Sequence, residues 1–394
     1  MNYASHPTGL KVRLAALLLA TGTTVPVLAQ TTPTTDPALA VPPPAAPVPA
    51  TPTPANPLTF YGFADAYYGY DFNNDHTQDR PGFLYSHDRQ NEFTVNNAIL
   101  GLRYQDEHVR GAIGLHAGSY VSANYAAEDP VFKHLYEAYA GFRPFSKAWL
   151  DVGIFGSHIG FESAISKDNW TLTRSLMAEN SPYYQAGARL TYEVGPKLTL
   201  AGLVLNGWQN LRDNNQAKAL GTQLQWKPTD KLLINSSTFY GSEQPQDSVR
   251  RRRYFHDFYV SYAATDRLSL ALVFDVGKQQ ASRPDGAVGE KYDTWHTGAA
   301  FVRYQLADKW TTALRGEYYK AERGVIIGSY APAVGDADAF IRGGSLGLDY
   351  APTGHVLVRL EGRVLNARDK VFVEAGGATR ATYANLTSSI ALSF

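Results

Sequence analysis

The sequence predicts an all-β fold: a transmembrane antiparallel β-barrel of sixteen strands, with short periplasmic turns and long outer loops. Three observations lead to this prediction: stretches of alternating apolar and polar residues, connections that alternate in length, and an aromatic residue at the same end of every second stretch. Ring side chains are favoured at the headgroup level of a bilayer, where they form a girdle. A soluble domain has no comparable reason to repeat them.

An aromatic residue followed by a short polar turn recurs along the chain, as in RYQDEH, TYEVGPK and QWKPTDK. Each of the first seven ends one alternating stretch and precedes the next, and the eighth is the final residue. We predict that these eight residues form a membrane girdle at the short-turn end: Tyr104, Phe142, Tyr192, Trp226, Tyr262, Tyr304, Tyr350 and Phe394.

The composition excludes several classes of function. The chain has 36 basic and 36 acidic residues, so its net charge gives no argument for a nucleic-acid partner. It has no cysteine, which excludes disulfides and thiolate metal sites. The sequence shows no metal-ligand spacing, nucleophile elbow or phosphate-binding loop, so we predict no catalytic residue, no metal and no cofactor.

The N-terminal region predicts export. Lys11 and Arg13 precede the apolar run LAALLLA, and residues 1–29 therefore read as a signal peptide that is cleaved before Gln30. Residues 30–57 are mostly Thr, Pro and Ala and cannot bury a core, so we predict a disordered periplasmic tether. This tether is either a passive spacer or a segment that binds the cell wall or a periplasmic protein. The predicted barrel comprises residues 58–394.

Period-two alternation defines the strands. Short turns such as Thr265-Asp266 alternate with long segments such as 73–91, 157–182, 280–292 and 321–339, which places both ends of the barrel in the periplasm. A sixteen-strand barrel is wide enough to leave an aqueous lumen. The predicted strands are 58–72, 92–104, 109–123, 131–142, 148–156, 183–194, 198–209, 218–227, 231–242, 253–264, 267–279, 293–305, 309–320, 340–350, 355–366 and 379–394.

Charged residues occur at positions whose parity points into the lumen, which favours a water-lined interior over a soluble sandwich or an eight-bladed fold. Opposite charges on neighbouring strands can pair and brace the wall, or they can form a selectivity field along the pore. Because both signs are present, the sequence predicts weak ion selectivity. The predicted pore-wall residues are Arg189, Glu193, Arg315, Glu317, Asp349, Arg359, Glu361 and Arg363.

The third long loop, 157–182, contains too many apolar residues for a segment exposed to solvent. We predict that it folds against the inner wall and narrows the channel, where its charged groups select solutes by charge and size. The alternative is a cap over the outer mouth, with the charges solvated. The predicted constriction residues are Glu162, Asp168, Trp170, Arg174 and Glu179.

Two weaker motifs lie in outer loops. The run from Arg250 to Arg253 either contacts phosphates of lipopolysaccharide or is a solvated rim. The segment 71–75 has alternating oxygen ligands similar to a calcium loop, but His76 and Gly82 stand where that loop needs Gly and Glu. We therefore predict no calcium site there.

Four segments carry a resemblance to a known family: LTFYGFADAYYGYDF, NEFTVNNAILGLRY, the stretch from IGFES to TRSLMAENSPYYQAGARLTYE, and the terminal TSSIALSF. On these segments, residues 58–394 resemble the OmpL-like β-barrel porin family of bacterial outer membranes. The resemblance implies an outer-membrane diffusion channel and supplies no catalytic or ligand residues. The chain end, with Ile390, Leu392 and Phe394 on one face, also resembles the outer-membrane assembly signal, which implies recognition by the barrel-assembly machinery.

The expected function is passive, non-enzymatic diffusion of small hydrophilic solutes. The expected partners are outer-membrane lipid and lipopolysaccharide, and a homo-oligomer is expected by analogy with other sixteen-strand porins. Two alternatives stay open. One is a binding or adhesion barrel with a closed lumen that uses the loops at 73–91, 243–252 and 321–339. The other is a barrel hydrolase whose Ser–His pair forms only in three dimensions.

Overall fold

The computed structural model describes residues 57–73, 77–282, 288–330, 334–335 and 337–394. The predicted signal peptide and all but the last residue of the predicted tether lie outside the described residues, as do positions 74 and 75 of the calcium-like segment and position 76 after it. Within the described ranges, no helix is long and apolar enough to cross a membrane.

Sixteen strands close into one antiparallel barrel, which confirms the predicted fold class. The wall strands are β1 (Leu58–Asp71), β2 (Phe93–Gln105), β3 (Val109–Ala117), β4 (Leu135–Phe142), β5 (Ala148–Gly156), β6 (Tyr184–Gly195), β7 (Leu198–Leu205), β8 (Ala219–Thr229), β9 (Leu232–Ser242), β10 (Arg252–Ala263), β11 (Leu268–Ser282), β12 (Val288–Ala307), β13 (Trp310–Ala321), β14 (Ala339–Thr353), β15 (Val356–Ala367) and β18 (Thr382–Ser393). Each pairs with its sequence neighbour, and β18 pairs with both β15 and β1.

Smaller elements lie in the long loops. β16 (Phe372–Val373) and β17 (Thr379–Arg380) form a separate two-stranded sheet in the last loop. Two short helices, α1 (Ser119–Asn124) and α2 (Leu176–Glu179), lie in the second and third loops. Neither helix is part of the wall.

The structure corrects three predicted boundaries. The predicted strand 109–123 ends at Ala117, because Gly118 adopts a φ of 143° and α1 follows. The predicted strand 131–142 begins only at Leu135. The predicted loop 280–292 is largely an extension of the β11–β12 hairpin, in which Gln279 pairs with Asp293. Its polar sequence suggests a loop, but backbone pairing beyond the bilayer does not require apolar side chains.

The two faces of the wall differ in chemistry. In β11 the side chains of Leu270, Leu272 and Phe274 are exposed on the outside, and those of the alternate residues Val273 and Asp275 are buried inside. This alternation is what a wall between hydrocarbon and a polar interior requires.

The interior of the barrel is packed with loop residues. Phe83 and Leu84 of the first loop, Leu176 of the third, and Ile327 and Tyr330 of the seventh are all buried. They join one apolar cluster with inward-facing wall residues, among them Phe155, Leu205, Phe239, Phe255, Trp295, Tyr319, Ile341 and Leu365. These loops therefore fold into the barrel mouth rather than projecting from it.

The glycine at position 277 makes room for one of these interior side chains. A Cβ at Gly277 would lie 2.1 Å from the Trp295 ring, whereas a Cβ at Gly202 meets nothing within 4 Å. We expect Gly277→Ala to lower the free energy of unfolding by about 1–3 kcal/mol, since Trp295 must leave its site. Gly202→Ala, the matched control, should change it by less than about 0.5 kcal/mol. Urea unfolding in micelles, followed by far-UV circular dichroism, measures both, and equal effects would contradict the packing argument.

Candidate functional site

The third loop crosses the lumen from one side of the wall to the other. It leaves β5 after Gly156, and His158 Nε2 donates to the Thr238 carbonyl on β9 at 2.9 Å. Further along, Ser166 Oγ donates to Asp65 on β1 at 2.7 Å. β1 and β9 are eight strands apart in a sixteen-strand barrel. The loop thus spans the full width of the barrel.

Charged wall residues bind the loop backbone directly. Glu361 on β15 accepts from the Thr173 N–H at 3.0 Å, and Glu317 on β13 accepts from the Leu176 N–H at 2.6 Å. Arg359 donates to the carbonyls of Ser166, Asn169 and Trp170 at 2.6, 3.1 and 3.2 Å. Hydrogen bonds with an ionised partner are about twice as strong as neutral ones. The loop is therefore held by charges and by apolar packing together.

The same wall residues form ion pairs among themselves. Arg315 lies 3.2 Å from Glu361 and 3.3 Å from Glu317, and Arg363 lies 2.7 Å from Glu317. These pairs connect β13 to β15 across the intervening β14. Register places Gly343 opposite Glu317 and Gly347 opposite Glu361, so that β14 presents little side chain between them. Asp349 of β14 pairs with Arg359 at 2.9 Å.

Four of the five predicted constriction residues are buried packing elements. Glu162 accepts from the Ser175 N–H at 3.1 Å, and Trp170 packs edge-to-face against Phe161, with ring centroids 5.4 Å apart. The Arg174 guanidinium lies 4.2 Å from the ring centroids of both Tyr120 and Tyr183, and Glu179 accepts from the Tyr85 N–H at 2.9 Å. Asp168 is partly exposed.

A small cavity of about 50 Å³ remains between the loop and the wall. It is lined by Tyr125, Tyr136, His158, Glu162, Tyr183 and Tyr259, among others. A cavity holds one water molecule when the space open to the centre of that molecule is about 10–15 Å³. This cavity therefore accommodates water but no sugar-sized solute while the loop occupies its present position.

Arginine side chains line the wall on the short-turn side of the loop. Arg103 is 49% exposed and binds Glu137, which is 8% exposed, at 2.9 Å. Arg189 is 16% exposed and binds the fully buried Asp151 at 3.1 Å. In both pairs the cation faces the lumen and the carboxylate lies behind it. Glu193 is partly exposed further down β6.

Of this group, Arg189 and Glu193 are predicted from the sequence, whereas Arg103, Arg110, Glu137 and Asp151 are not. Arg110 makes two hydrogen bonds to Asp151, at 2.7 and 2.6 Å, and lies over the Trp149 ring. Inward parity was the signal that could have found most of these residues, because Arg110 follows the exposed Val109 and Asp151 precedes the exposed Val152.

The eight predicted girdle residues lie on the outer face at the short-turn end. Seven are exposed, and Tyr350 is partly exposed. The structure adds an aromatic set at the opposite end that the sequence analysis missed, although its residues have the same outward parity. It includes Tyr70, Phe72, Phe93, Tyr240, Tyr254 and Tyr292.

Among the residues that the structure describes, no group of three or more His, Asp and Glu side chains is placed to hold a metal ion. The predictions of no metal and no cofactor stay predictions.

Comparison with known proteins agrees with the barrel fold. Residues 57–394 match the family described as beta-barrel porin-2, OmpL-like. No curated protein matches the chain in sequence. Solved structures with a similar fold include the outer-membrane channel DcaP of Acinetobacter baumannii, at TM-score 0.59 and 9% identity, covering 86% of this chain and 97% of that one.

Two further structures share the fold at 10% identity and TM-score 0.54, each covering 86% of this chain and 99% of the other. They are the trimer form of OmpT from Vibrio cholerae and the anion-selective porin from Comamonas acidovorans. At such low identity, the likeness concerns the fold alone.

Burial in the lumen raises the pKa of Glu162 from 4.5 to about 7, although Arg315 at 3.9 Å and the hydrogen bonds from Ser175 act in the opposite direction. In a displaced loop this carboxyl would return to its usual pKa. Protonation of Glu162 therefore stabilises the third loop in its position inside the barrel. This stabilisation is complete below pH 4.5 and is lost as the pH rises through about 7.

We expect the amides of the third loop to be more protected from hydrogen exchange at pH 5 than at pH 8. The free energy of opening the loop should differ by an amount on the order of 3 kcal/mol. Glu162→Gln, which cannot ionise, should remove most of this difference, and Glu374→Gln in the last loop serves as the matched control. Hydrogen–deuterium exchange of the peptide 163–179, corrected for the intrinsic pH effect, measures it. Equal protection at both pH values in the unmodified protein would contradict the assignment.

Proposed function

Because the chain belongs to the OmpL-like beta-barrel porin-2 family and is an outer-membrane barrel, we propose that it is a passive diffusion channel for small hydrophilic solutes. The observation that carries this proposal is the third loop, which spans the lumen between β1 and β9 and is held there by wall charges. A loop in that position sets the width of the path that a solute takes.

The constriction in this proposal is the third loop itself, 157–182, rather than a ring of exposed charges. Glu162, Trp170, Arg174 and Glu179 act by fixing its position, because each is buried against a wall or loop partner. Asp168, which is partly exposed, is the one of the five that meets the solute directly. Displacement of the loop widens the path.

The arginines below the loop favour anionic solutes. A count of charges in the sequence predicts weak selectivity, but the lumen presents the cations of Arg103 and Arg189 and hides the carboxylates behind them. At these two pairs a solute is therefore nearer to positive than to negative charge, and the partly exposed Glu193 and Asp168 supply negative charge elsewhere in the lumen. We include a preference for small anions in the proposal.

A second function, a binding or adhesion barrel with a closed lumen, is favoured by one observation. Loop residues from the first, third and seventh loops are buried together inside the mouth, and the cavity beside the third loop is too small for a sugar-sized solute. This alternative requires the third loop to stay inside the barrel under all conditions. Conductance of the intact protein separates the two.

We also propose roles for the two ends of the chain and an oligomeric state. Residues 1–29 would direct export, 30–57 would tether the barrel in the periplasm, and the chain end would be read by the barrel-assembly machinery. A homo-oligomer is also proposed, since a structure with the same fold, OmpT of Vibrio cholerae, is described in a trimer form.

Deleting residues 163–179 should raise the single-channel conductance several-fold, because the segment that crosses the lumen is removed. Planar bilayer recordings of the refolded barrel measure this, and liposome swelling with sugars of graded size measures the change in size limit. Deletion of 245–249, an exposed loop between β9 and β10, is the control and should leave conductance unchanged. An unaltered conductance after the 163–179 deletion would refute the constriction, and an intact protein that never conducts would favour the closed barrel.

Replacing Arg103 and Arg189 by Gln should lower the anion preference of the channel. One unit charge at 4 Å in water is worth about 1 kcal/mol, so the permeability ratio should fall by roughly a factor of five. The zero-current potential across a salt gradient measures the ratio. Arg212→Gln with Arg368→Gln, two exposed arginines of outer loops, removes the same charge and is the control. A wild-type channel that prefers cations would contradict the argument.

A further inference from the structure

Basic side chains on the outer face of the barrel are confined to one sector. Among the described residues of the wall strands between the turns, the Lys and Arg side chains with outward parity are Arg252, Lys278, Lys320 and Arg342. They lie on β10, β11, β13 and β14, all toward the long-loop end. The strands from β15 through β18 and β1 to β7 have no such residue in their described part.

These residues lie at the level of the outer headgroups. Arg252 is ten residues along β10 from Tyr262 of the short-turn girdle. Ten residues of a strand tilted by about 40° rise about 25 Å, which matches the apolar height of an outer-membrane barrel. Arg342 and Lys320 lie at similar distances along β14 and β13. The four cations thus mark the upper edge of the hydrocarbon region.

A cleft in the same sector is open toward the outside. It has a volume of about 460 Å³ and is lined by Lys218, Tyr240, Ser242, Arg250, Arg252 and Gln280. Lys218 pairs with Asp213, whereas Arg250 and Arg252 pair with no carboxylate in the described part of the chain. The cleft therefore combines an aromatic wall with two uncompensated guanidinium groups.

The neighbouring basic side chains also lack an ion pair with a described carboxylate. Lys278 Nζ lies 5.1 Å from the Tyr254 ring centroid and 4.9 Å from that of Tyr292, two outward rings of the upper aromatic set. Lys320 and Arg342 form no ion pair with a described carboxylate. Charges at the hydrocarbon edge need anionic partners, and the headgroup region supplies them.

The four consecutive arginines at 250–253 do not all face the same side of the wall. Arg253 points inward, where it donates to Gln279 at 2.9 Å and lies over the Trp208 ring. Arg252 has the opposite parity and faces the membrane. The sequence run alone could not distinguish a lipid contact from a solvated rim, and the structure separates the two kinds of arginine.

We propose that Arg250, Arg252, Lys278, Lys320 and Arg342 form a basic face that binds the phosphate groups of a bisphosphorylated glycolipid, the lipid A part of lipopolysaccharide, in the outer leaflet. Arginine recognises phosphate through two parallel hydrogen bonds, and the rings beside the cations lie where lipid headgroups meet hydrocarbon. A second copy of the chain docked face to face would bring like charges together, so the glycolipid is the occupant that the charges fit. The proposal holds whether or not the barrel conducts.

The test uses the full chain refolded in detergent and native mass spectrometry to measure lipid binding. The probes are bisphosphorylated lipid A, monophosphorylated lipid A, the dephosphorylated lipid and inorganic phosphate. We expect saturable binding of bisphosphorylated lipid A, weaker binding of the monophosphorylated form and little binding of the dephosphorylated form. Lys320→Gln with Arg342→Gln, and separately Arg250→Gln with Arg252→Gln, should each weaken lipid A binding by roughly tenfold.

The matched control is Lys231→Gln with Arg267→Gln, two exposed cations in turns at the opposite end. It should leave lipid A binding within about twofold of the unmodified protein. Single substitutions of Lys320 and Arg342 provide the same comparison if a double variant fails to refold. Unchanged binding in the outer-face variants, an equal loss in the control, equal binding of the dephosphorylated lipid, or equal binding of inorganic phosphate would each overturn the proposal.

Discussion

The constraint on which the rest of the structure depends is that every backbone amide in hydrocarbon must be hydrogen-bonded within the protein. The chain meets it by pairing its last wall strand, β18, with its first, β1, from Phe63↔Ser393 to Asp71↔Asn385. Closure leaves no sheet edge in the membrane, and it forces side chains to alternate between lipid and lumen. The outward aromatic belts and the inward charges are both consequences of that closure.

The closed wall also explains how the third loop is held. Arg315, Arg359, Glu317 and Glu361 face a lumen in which the loop excludes water, so their partners must come from the protein. These four residues are partners partly for one another and partly for the backbone of the third loop. Stability of the wall and position of the loop are therefore coupled, because a residue that braces one also binds the other. This coupling makes the buried Glu162 sensitive to any movement of the loop.

Strand number, strand limits and the facing of most residues were predictable, because they depend on local alternation and on turn residues. The predictions failed where local signals conflict with pairing. Gly118 ends β3 because its backbone cannot continue the strand, and β11 and β12 continue beyond the bilayer in a sequence with the composition of a loop. Parity in the sequence placed Glu317 and Arg363 on the same face of the wall. It could not predict their 2.7 Å ion pair across β14, because that contact depends on the small residues between them.

The sequence by itself determined that this chain forms a sixteen-strand membrane barrel, since a period of two and a repeated aromatic residue are properties of neighbouring positions. Only the tertiary structure decided what fills the lumen and which charges a solute or a lipid meets. Arg103 covers Glu137, and Arg252 and Arg253 face opposite sides of the wall. Exposure is a property of the closed barrel and its inserted loop, which bring together residues far apart in the chain, and a count of charges along the sequence cannot contain it.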